Sequence, residues 1–287
     1  MSEIASASLP ARTPLPWGHW WRQVRAILRL ELRKGFRRSY GLYLLALAPI
    51  IVPLAILIVR TVSADFDRGF GVPEATQFYA GFYQAFMLRI VIFLACVAVF
   101  GNLIRRETLD RSLHYYFLSP LRRELLVVAK YLTGLLVSFL LFGVTTVVTF
   151  VLTYAPLEST AVRQFLFGGH GLSHLGSYLL VTFLACAGYG AVFLFFGFFF
   201  KSPALPALAV FGWEAILFLL PPLLKQASVM HYLQSLCPVP VPERLLALLA
   251  DAPSPWVAIP GLLVLAVVLV AISAWKIRRM EISYDES

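Results

Sequence analysis

Two charged side chains stand inside otherwise apolar stretches of the sequence, and they are the first candidates for chemistry. Arg89 lies within residues 82–104 and Glu214 within residues 204–224. A charge at the centre of a bilayer costs at least about 2.5–3.5 kcal/mol, so it usually faces a bundle interior or a partner. Counted inward from residues 104 and 204, the two charges lie at similar depths. The sequence therefore predicts either a static Arg89–Glu214 pair or a charged lining for a path or gate.

Side chains that catalyse reactions or bind metals do not cluster in the sequence. Cys96 and Cys186 lie inside apolar stretches, and no CxxC or Cys/His spacing indicates a metal site, so we expect none. No lysine follows a glycine, whereas the phosphate-binding Walker A loop needs Gly directly before its Lys. We therefore expect no ATP site in this chain.

Six long apolar stretches surround these residues. Of the 287 residues, 60% are hydrophobic and 14% are charged, whereas soluble domains average about 25% charged. Each stretch approaches the roughly 20 residues that cross a bilayer as a helix, and lipid offers no partner for the backbone of other structures. We predict an all-α integral membrane protein whose domain, residues 39–287, has six transmembrane helices. The stretches are residues 42–59, 82–104, 132–155, 175–200, 204–224 and 256–275.

Positive charge is distributed unevenly between the segments that join these stretches. Most of the 24 Lys and Arg side chains precede the first stretch, join the second to the third, or follow the sixth. Because such segments are retained in the cytoplasm, we expect both termini there. Topology accounts for the net charge of +9, so we expect the lipid bilayer as a partner and no nucleic acid.

The N-terminal region has two parts. Residues 1–16 are rich in Ser, Ala and Pro and are expected to be disordered. Residues 17–38 carry Trp and Arg on opposite faces of a predicted helix, which is typical of an amphipathic helix in the membrane interface. Binding by a calmodulin-like or helical partner is the alternative. The predicted interfacial anchors are Trp17, Trp20, Trp21, Arg22, Arg25 and Arg29.

Residues 225–255 form a Pro-rich segment on the outer side, before the last apolar stretch. Pro238, Pro240 and Pro242 interrupt it, and apolar residues flank the break. Irregular backbone is tolerated at membrane depth where protein surrounds it. The segment is therefore interpreted as re-entrant or interfacial, with an ordinary surface loop as the alternative.

Residues 104–130 form the longest cytosolic connection. Leu113, Tyr116 and Phe117 give it an apolar face, and Pro120 ends its first helix because the residue before a proline disfavours helical geometry. A second helix begins near Arg123 and runs into the third span. A short helix of this kind is suited to docking a cytosolic partner, and a solvated connection is the alternative. Its charged positions are Arg105, Arg106, Glu107, Asp110 and Arg111.

This connection resembles the signature region of the type-2 ABC transporter permeases. Those permeases share a charged run after the second span, then Leu, Pro and Arg, and a Lys that leads into the third span. The chain departs from them at Arg111 and Ser112, where Gly-Thr is usual, and at Ala129, where Gly is usual. The matching positions are Arg106, Glu107, Leu113, Pro120, Arg123 and Lys130.

The resemblance implies the membrane subunit of an ABC exporter for a lipid, drug, peptide or glycan, located in the cell inner (plasma) membrane. It implies a separate ABC ATPase subunit, which binds ATP and Mg²⁺ and holds the loop helix, and a second permease copy in a homodimer or a heterodimer. The chain would then not be an enzyme. A membrane scaffold or a membrane-embedded lipid-modifying enzyme is the alternative, although the sequence shows no catalytic cluster at the membrane face.

Overall fold

The structure is a computed structural model that describes residues 40–62, 71–101, 103, 123–200, 202–216, 228–239 and 254–278, together with Arg25. In these residues every element is helical and there is no strand, which confirms the predicted all-α class. The helices are α1 (Tyr40–Val62), α2 (Val72–Phe100), α3 (Arg123–Tyr154), α4 (Ser159–Arg163), α5 (Gly171–Gly197), α6 (Ala204–Ala215), α7 (Val229–Ser235) and α8 (Pro255–Arg278).

Five of the described helices, α1, α2, α3, α5 and α8, are long and apolar enough to cross a bilayer. They confirm a multi-pass helical membrane protein. The predicted span at residues 204–224 is described only as α6, which has 12 residues and ends at Ala215. Residues 217–227 lie outside the described residues, so the sixth span stays a prediction.

Helix α2 begins at Val72, well before residue 82, where hydropathy places the start of the second span. The carboxylate of Glu74 accepts a hydrogen bond from the Gly71 N–H at 2.8 Å, and Pro73 suits the first turn of a helix. Hydropathy does not detect this start, because Glu74 and Pro73 are not among the apolar residues that mark a span. Helix α3 is described from Arg123 onward.

The middle of α2, Tyr83–Ile92, is π-helical and includes Gln84 and Arg89. A π-helix closes its backbone hydrogen bonds five residues apart, and such segments are frequent at functional sites. A second π-helical stretch, Gln164–Gly168, follows α4. The unusual backbone of α2 therefore coincides with the charge that the sequence identifies in this span.

Helix α5 is the centre of the bundle and packs against α2, α3, α7 and α8. In its most apolar stretch 67% of the residues are buried, compared with 22% in α1. Small residues such as Gly188 and Gly190 let neighbouring helices approach α5 closely. Helix α1 packs on α3 through one face, which includes Leu42 and Ala46, and its other faces are left for lipid or for another chain.

Hydroxyl groups join α2, α3 and α5 toward the ends of these helices that lie away from residues 104–122. Tyr79 donates to the carbonyl of Thr146 at 3.0 Å, and Tyr83 donates to the carbonyl of Tyr178 at 2.9 Å. The hydroxyls of Thr146 and Thr182 lie 3.2 Å apart. Each bond satisfies a polar group that is buried away from water, so these hydroxyls tie the three helices together.

At the opposite end of α2, two glycines enclose the ring of Phe100. A methyl group added at Gly134 of α3 would lie 2.8 Å from this ring, and one added at Gly190 of α5 would lie 2.7 Å from it. The ring of Tyr131 also packs on Phe100, with centroids 5.7 Å apart. The end of α2 is therefore fixed to α3 and α5 immediately before the chain enters residues 104–122.

We predict that Gly190→Ala lowers the free energy of unfolding by about 1–3 kcal/mol, because the added methyl group overpacks the site of Phe100. Thermal unfolding in detergent measures the effect, and adding Phe100→Leu should recover most of the loss. Gly176→Ala in the same helix is the matched control, since nothing lies within 4 Å of its added methyl group. Equal destabilisation by the two glycine substitutions would contradict this packing.

Candidate functional site

Glu214 is a buried carboxylic acid near the end of α6, with 3% of its surface exposed. Tyr189 of α5 donates its hydroxyl hydrogen to both carboxylate oxygens, at 2.9 Å to Oε1 and 2.8 Å to Oε2. A hydrogen bond to a charged group contributes about 1.5–3 kcal/mol, which offsets part of the cost of removing the acid from water. The Tyr189 ring is fully buried and meets Phe93 edge-on at 5.4 Å, so its hydroxyl is held in place.

Further polar groups surround the carboxylate of Glu214. The backbone N–H of Met230 donates to it, Ser228 lies beside it, and the positive charge of Arg89 acts on it. Arg89 belongs to the π-helical stretch of α2. The structure thus brings the two intramembrane charges into electrostatic range, while their function as a static pair or as a pathway lining stays a prediction.

The short helix α7 lies inside the bundle. Val229 is buried, and a methyl group added at Gly188 of α5 would lie 3.0 Å from its side chain. Just beyond α7, the carbonyl of Val239 accepts a hydrogen bond from Gln84 of α2 at 2.9 Å. Gly188 and Gln84 both lie in the central parts of their helices, so residues 228–239 reach well into the bundle. The two readings of the whole segment 225–255, re-entrant or surface loop, stay predictions.

The sequence does not predict Tyr189 or Ser228 as site residues. Tyr189 stands between two glycines in an apolar stretch, which indicates only helix packing. A buried tyrosine nevertheless needs a hydrogen-bond partner, and Glu214 is an intramembrane acceptor that needs a donor; this requirement could have predicted the contact. Ser228 has no such signal, because nothing in the neighbouring sequence fixes its place beside α6.

Most of the other predicted site residues lie outside the part of the chain that the structure describes. Two are described at least in their backbone: Arg123 is the first residue of α3, and Arg25 is helical and exposed. The functions assigned to all of them stay predictions. The residues outside are Arg105, Arg106, Glu107, Asp110, Arg111, Leu113, Tyr116, Phe117, Pro120, Trp17, Trp20, Trp21, Arg22 and Arg29.

The apolar helices and the polar cluster buried between them define a multi-pass α-helical membrane protein. Residues 27–230 match the family model described as ABC-2 family transporter protein, and the chain belongs to this family. It is therefore a membrane permease of an ABC transporter, a component that is generally not catalytic itself and that works with an ABC ATPase subunit. The match confirms the resemblance to the type-2 permeases. No curated protein matches the sequence.

We predict that Tyr189→Phe destabilises the protein by about 1.5–3 kcal/mol, because the Glu214 carboxylate loses a charge-assisted hydrogen bond. Thermal unfolding in detergent measures the loss. Tyr178→Phe is the matched control, since Tyr178 is also buried in α5 but its hydroxyl bonds to no described residue. If both substitutions had the same effect, the Tyr189 hydroxyl would have no stabilising contact with the acid.

A charge exchange tests whether Arg89 and Glu214 pair. Arg89→Glu and Glu214→Arg should each reduce the yield of folded protein sharply, since an uncompensated buried charge costs about 3–5 kcal/mol. The double variant should recover much of that yield in size-exclusion chromatography. Two defective single variants without recovery in the double variant would exclude a pair. Arg163→Glu, at an exposed site outside the bundle, serves as the control.

Proposed function

We propose that this chain is the membrane subunit of an ABC exporter that moves a hydrophobic or amphipathic molecule out of the cytoplasm. A lipid, drug, peptide or glycan fits this class. The family match over residues 27–230 carries the proposal, because it includes all of residues 104–122 between the second and third spans. The energy would come from ATP and Mg²⁺ bound by a separate ATPase subunit.

The packing at the ends of residues 104–122 supports their function as the segment that transmits force. Before them, Phe100 is enclosed by Gly134 and Gly190, so the end of α2 cannot move independently of α3 and α5. After them, α3 continues without interruption from Arg123 to Tyr154. A push on this segment by the ATPase would therefore act on three spans together. Because an ATPase can shift the permease only through contacts that differ between two states, this segment is the proposed place of those contacts.

The proposal includes a second permease copy, in a homodimer or a heterodimer, in the cell inner membrane with both termini in the cytoplasm. Apolar side chains exposed on α1 and α6 support it, since another chain or lipid must cover them. Examples are Leu44 at 69%, Ile51 at 65% and Leu208 at 73% exposure. The distribution of Lys and Arg along the sequence supports the orientation.

Charge reversal in residues 104–122 tests the function. With the full chain and its ATPase co-expressed, we expect Arg106→Glu or Glu107→Arg to reduce co-purified ATPase and substrate-stimulated ATP hydrolysis by about tenfold, because opposite charges fix the register of docked surfaces. The thermal stability of the permease itself should not change.

Arg163→Glu is the control, because it reverses an exposed charge that lies between the third and fourth spans, on the other side of the predicted topology. It should leave complex formation and hydrolysis unchanged. Normal complex formation and transport by both variants in residues 104–122 would contradict the proposed docking.

A further inference from the structure

A cavity of ≈ 390 Å³ lies beside Glu214, between α5, α6, α8 and the start of α7. This volume is within the range of small-molecule sites, which is about 300–1,000 Å³. Ala209 and Trp213 of α6 line the cavity and are exposed on the surface of the chain, so the cavity is open to the outside of the bundle. Its apolar and aromatic wall includes Phe195, Phe196, Trp213, Val229, Leu265 and Leu269.

Among the described residues that line this cavity, Glu214 and Ser228 carry oxygen atoms on their side chains, and Trp213 carries an indole N–H. Tyr189 donates to the carboxylate but does not line the cavity. The acid is therefore held by a residue behind it, while Glu214 itself lines the cavity. Ser228 is 1% exposed, and its hydroxyl lies beside the carboxylate and interacts with it. A serine hydroxyl both donates and accepts hydrogen bonds, so Ser228 can accept one from a group that binds the acid.

The charge of the lining favours a cation. The described part of the lining contains one carboxylate and no Lys or Arg. It also contains the rings of Phe195, Phe196 and Trp213, and a cation is attracted to the face of such rings. The positive charge of Arg89 acts on the same carboxylate but does not line the cavity. A ligand in the cavity is therefore closer to the acid and the rings than to Arg89. An ammonium group supplies three hydrogen-bond donors, enough for both Glu214 and Ser228.

We propose that this cavity binds an amphipathic molecule through a protonated amine, with the ammonium group on Glu214 and Ser228 and the apolar part against the aromatic wall. The proposal rests on the proposed function and narrows its substrate class to cationic amphipathic molecules. The ligand should carry a positive charge, because an ionised carboxylate only accepts hydrogen bonds. It should also have a hydrophobic part, because most of the described wall is apolar. An anionic molecule of the same shape would place its charge against the Glu214 carboxylate.

Three rigid molecules of one shape test this specificity. We would titrate the full-length permease in lipid nanodiscs by calorimetry with 1-adamantylamine, 1-adamantanol and adamantane-1-carboxylate. We expect saturable binding of the amine, and affinities at least about tenfold weaker for the alcohol and the carboxylate. Equal affinity of the amine and the alcohol, or no saturable binding of the amine, would overturn the proposal.

Variants assign the binding to this cavity. Glu214→Gln should weaken amine binding about tenfold or more and leave alcohol binding unchanged, while Ser228→Ala should weaken amine binding severalfold. Ala209→Phe fills the cavity without removing the Tyr189–Glu214 contact, and it should abolish binding even if Glu214→Gln fails to fold. Leu208→Phe, one residue away on α6 and outside the lining, is its matched control. Unchanged amine binding by a folded Ala209→Phe protein would place the ligand elsewhere.

The binding measurement uses neither nucleotide nor ATPase, so it separates this proposal from the proposed function. If the Arg106→Glu and Glu107→Arg variants lost ATPase docking but the wild type did not bind the amine, only the cationic site would be refuted. Amine binding by a chain that associates with no ATPase would refute the exporter function and leave the site intact.

Discussion

Inside an apolar bundle, a buried polar group needs a partner within the protein, and Glu214 is buried to the same extent as Lys130. Tyr189 shares its hydroxyl hydrogen between the two oxygens of the Glu214 carboxylate, Met230 donates its backbone N–H, and the charge of Arg89 acts on the acid. These groups come from α2, α5, α6 and α7. The acid therefore constrains the relative positions of four elements that are distant in the sequence.

The same requirement explains how the rest of the bundle is held. Lipid tails are as apolar as leucine, so helices in a membrane associate through close packing and hydrogen bonds rather than through the hydrophobic effect. Hydroxyl contacts between Tyr79, Tyr83, Thr146 and Thr182 supply the hydrogen bonds at one end of the bundle. Glycine contacts around Phe100 supply the close packing at the other end, where the chain enters residues 104–122.

Hydropathy predicts most of the spans because a bilayer imposes a minimum apolar length on each of them. It fails at the start of α2, where Glu74 and Pro73 begin the helix in a polar stretch, and it cannot locate the end of α6 at Ala215 inside a run that stays apolar. The charges Arg89 and Glu214 stand out in the sequence because ionised residues are costly in a span. Tyr189 and Ser228 do not, since their importance depends on which elements meet in space.

Three consecutive residues of α5 connect the separate parts of this structure. Successive residues on an α-helix point about 100° apart, so Gly188, Tyr189 and Gly190 face three different neighbours: Gly188 receives Val229, Tyr189 holds Glu214, and Gly190 receives the ring of Phe100. A displacement of Phe100 by the segment that follows α2 would therefore press on the same turn of helix that positions the carboxylate and the wall of the cavity. Because closely packed contacts transmit a shift instead of absorbing it, this turn is a short connection between Phe100 and the carboxylate, and under the proposed function it would carry a push from a cytosolic subunit.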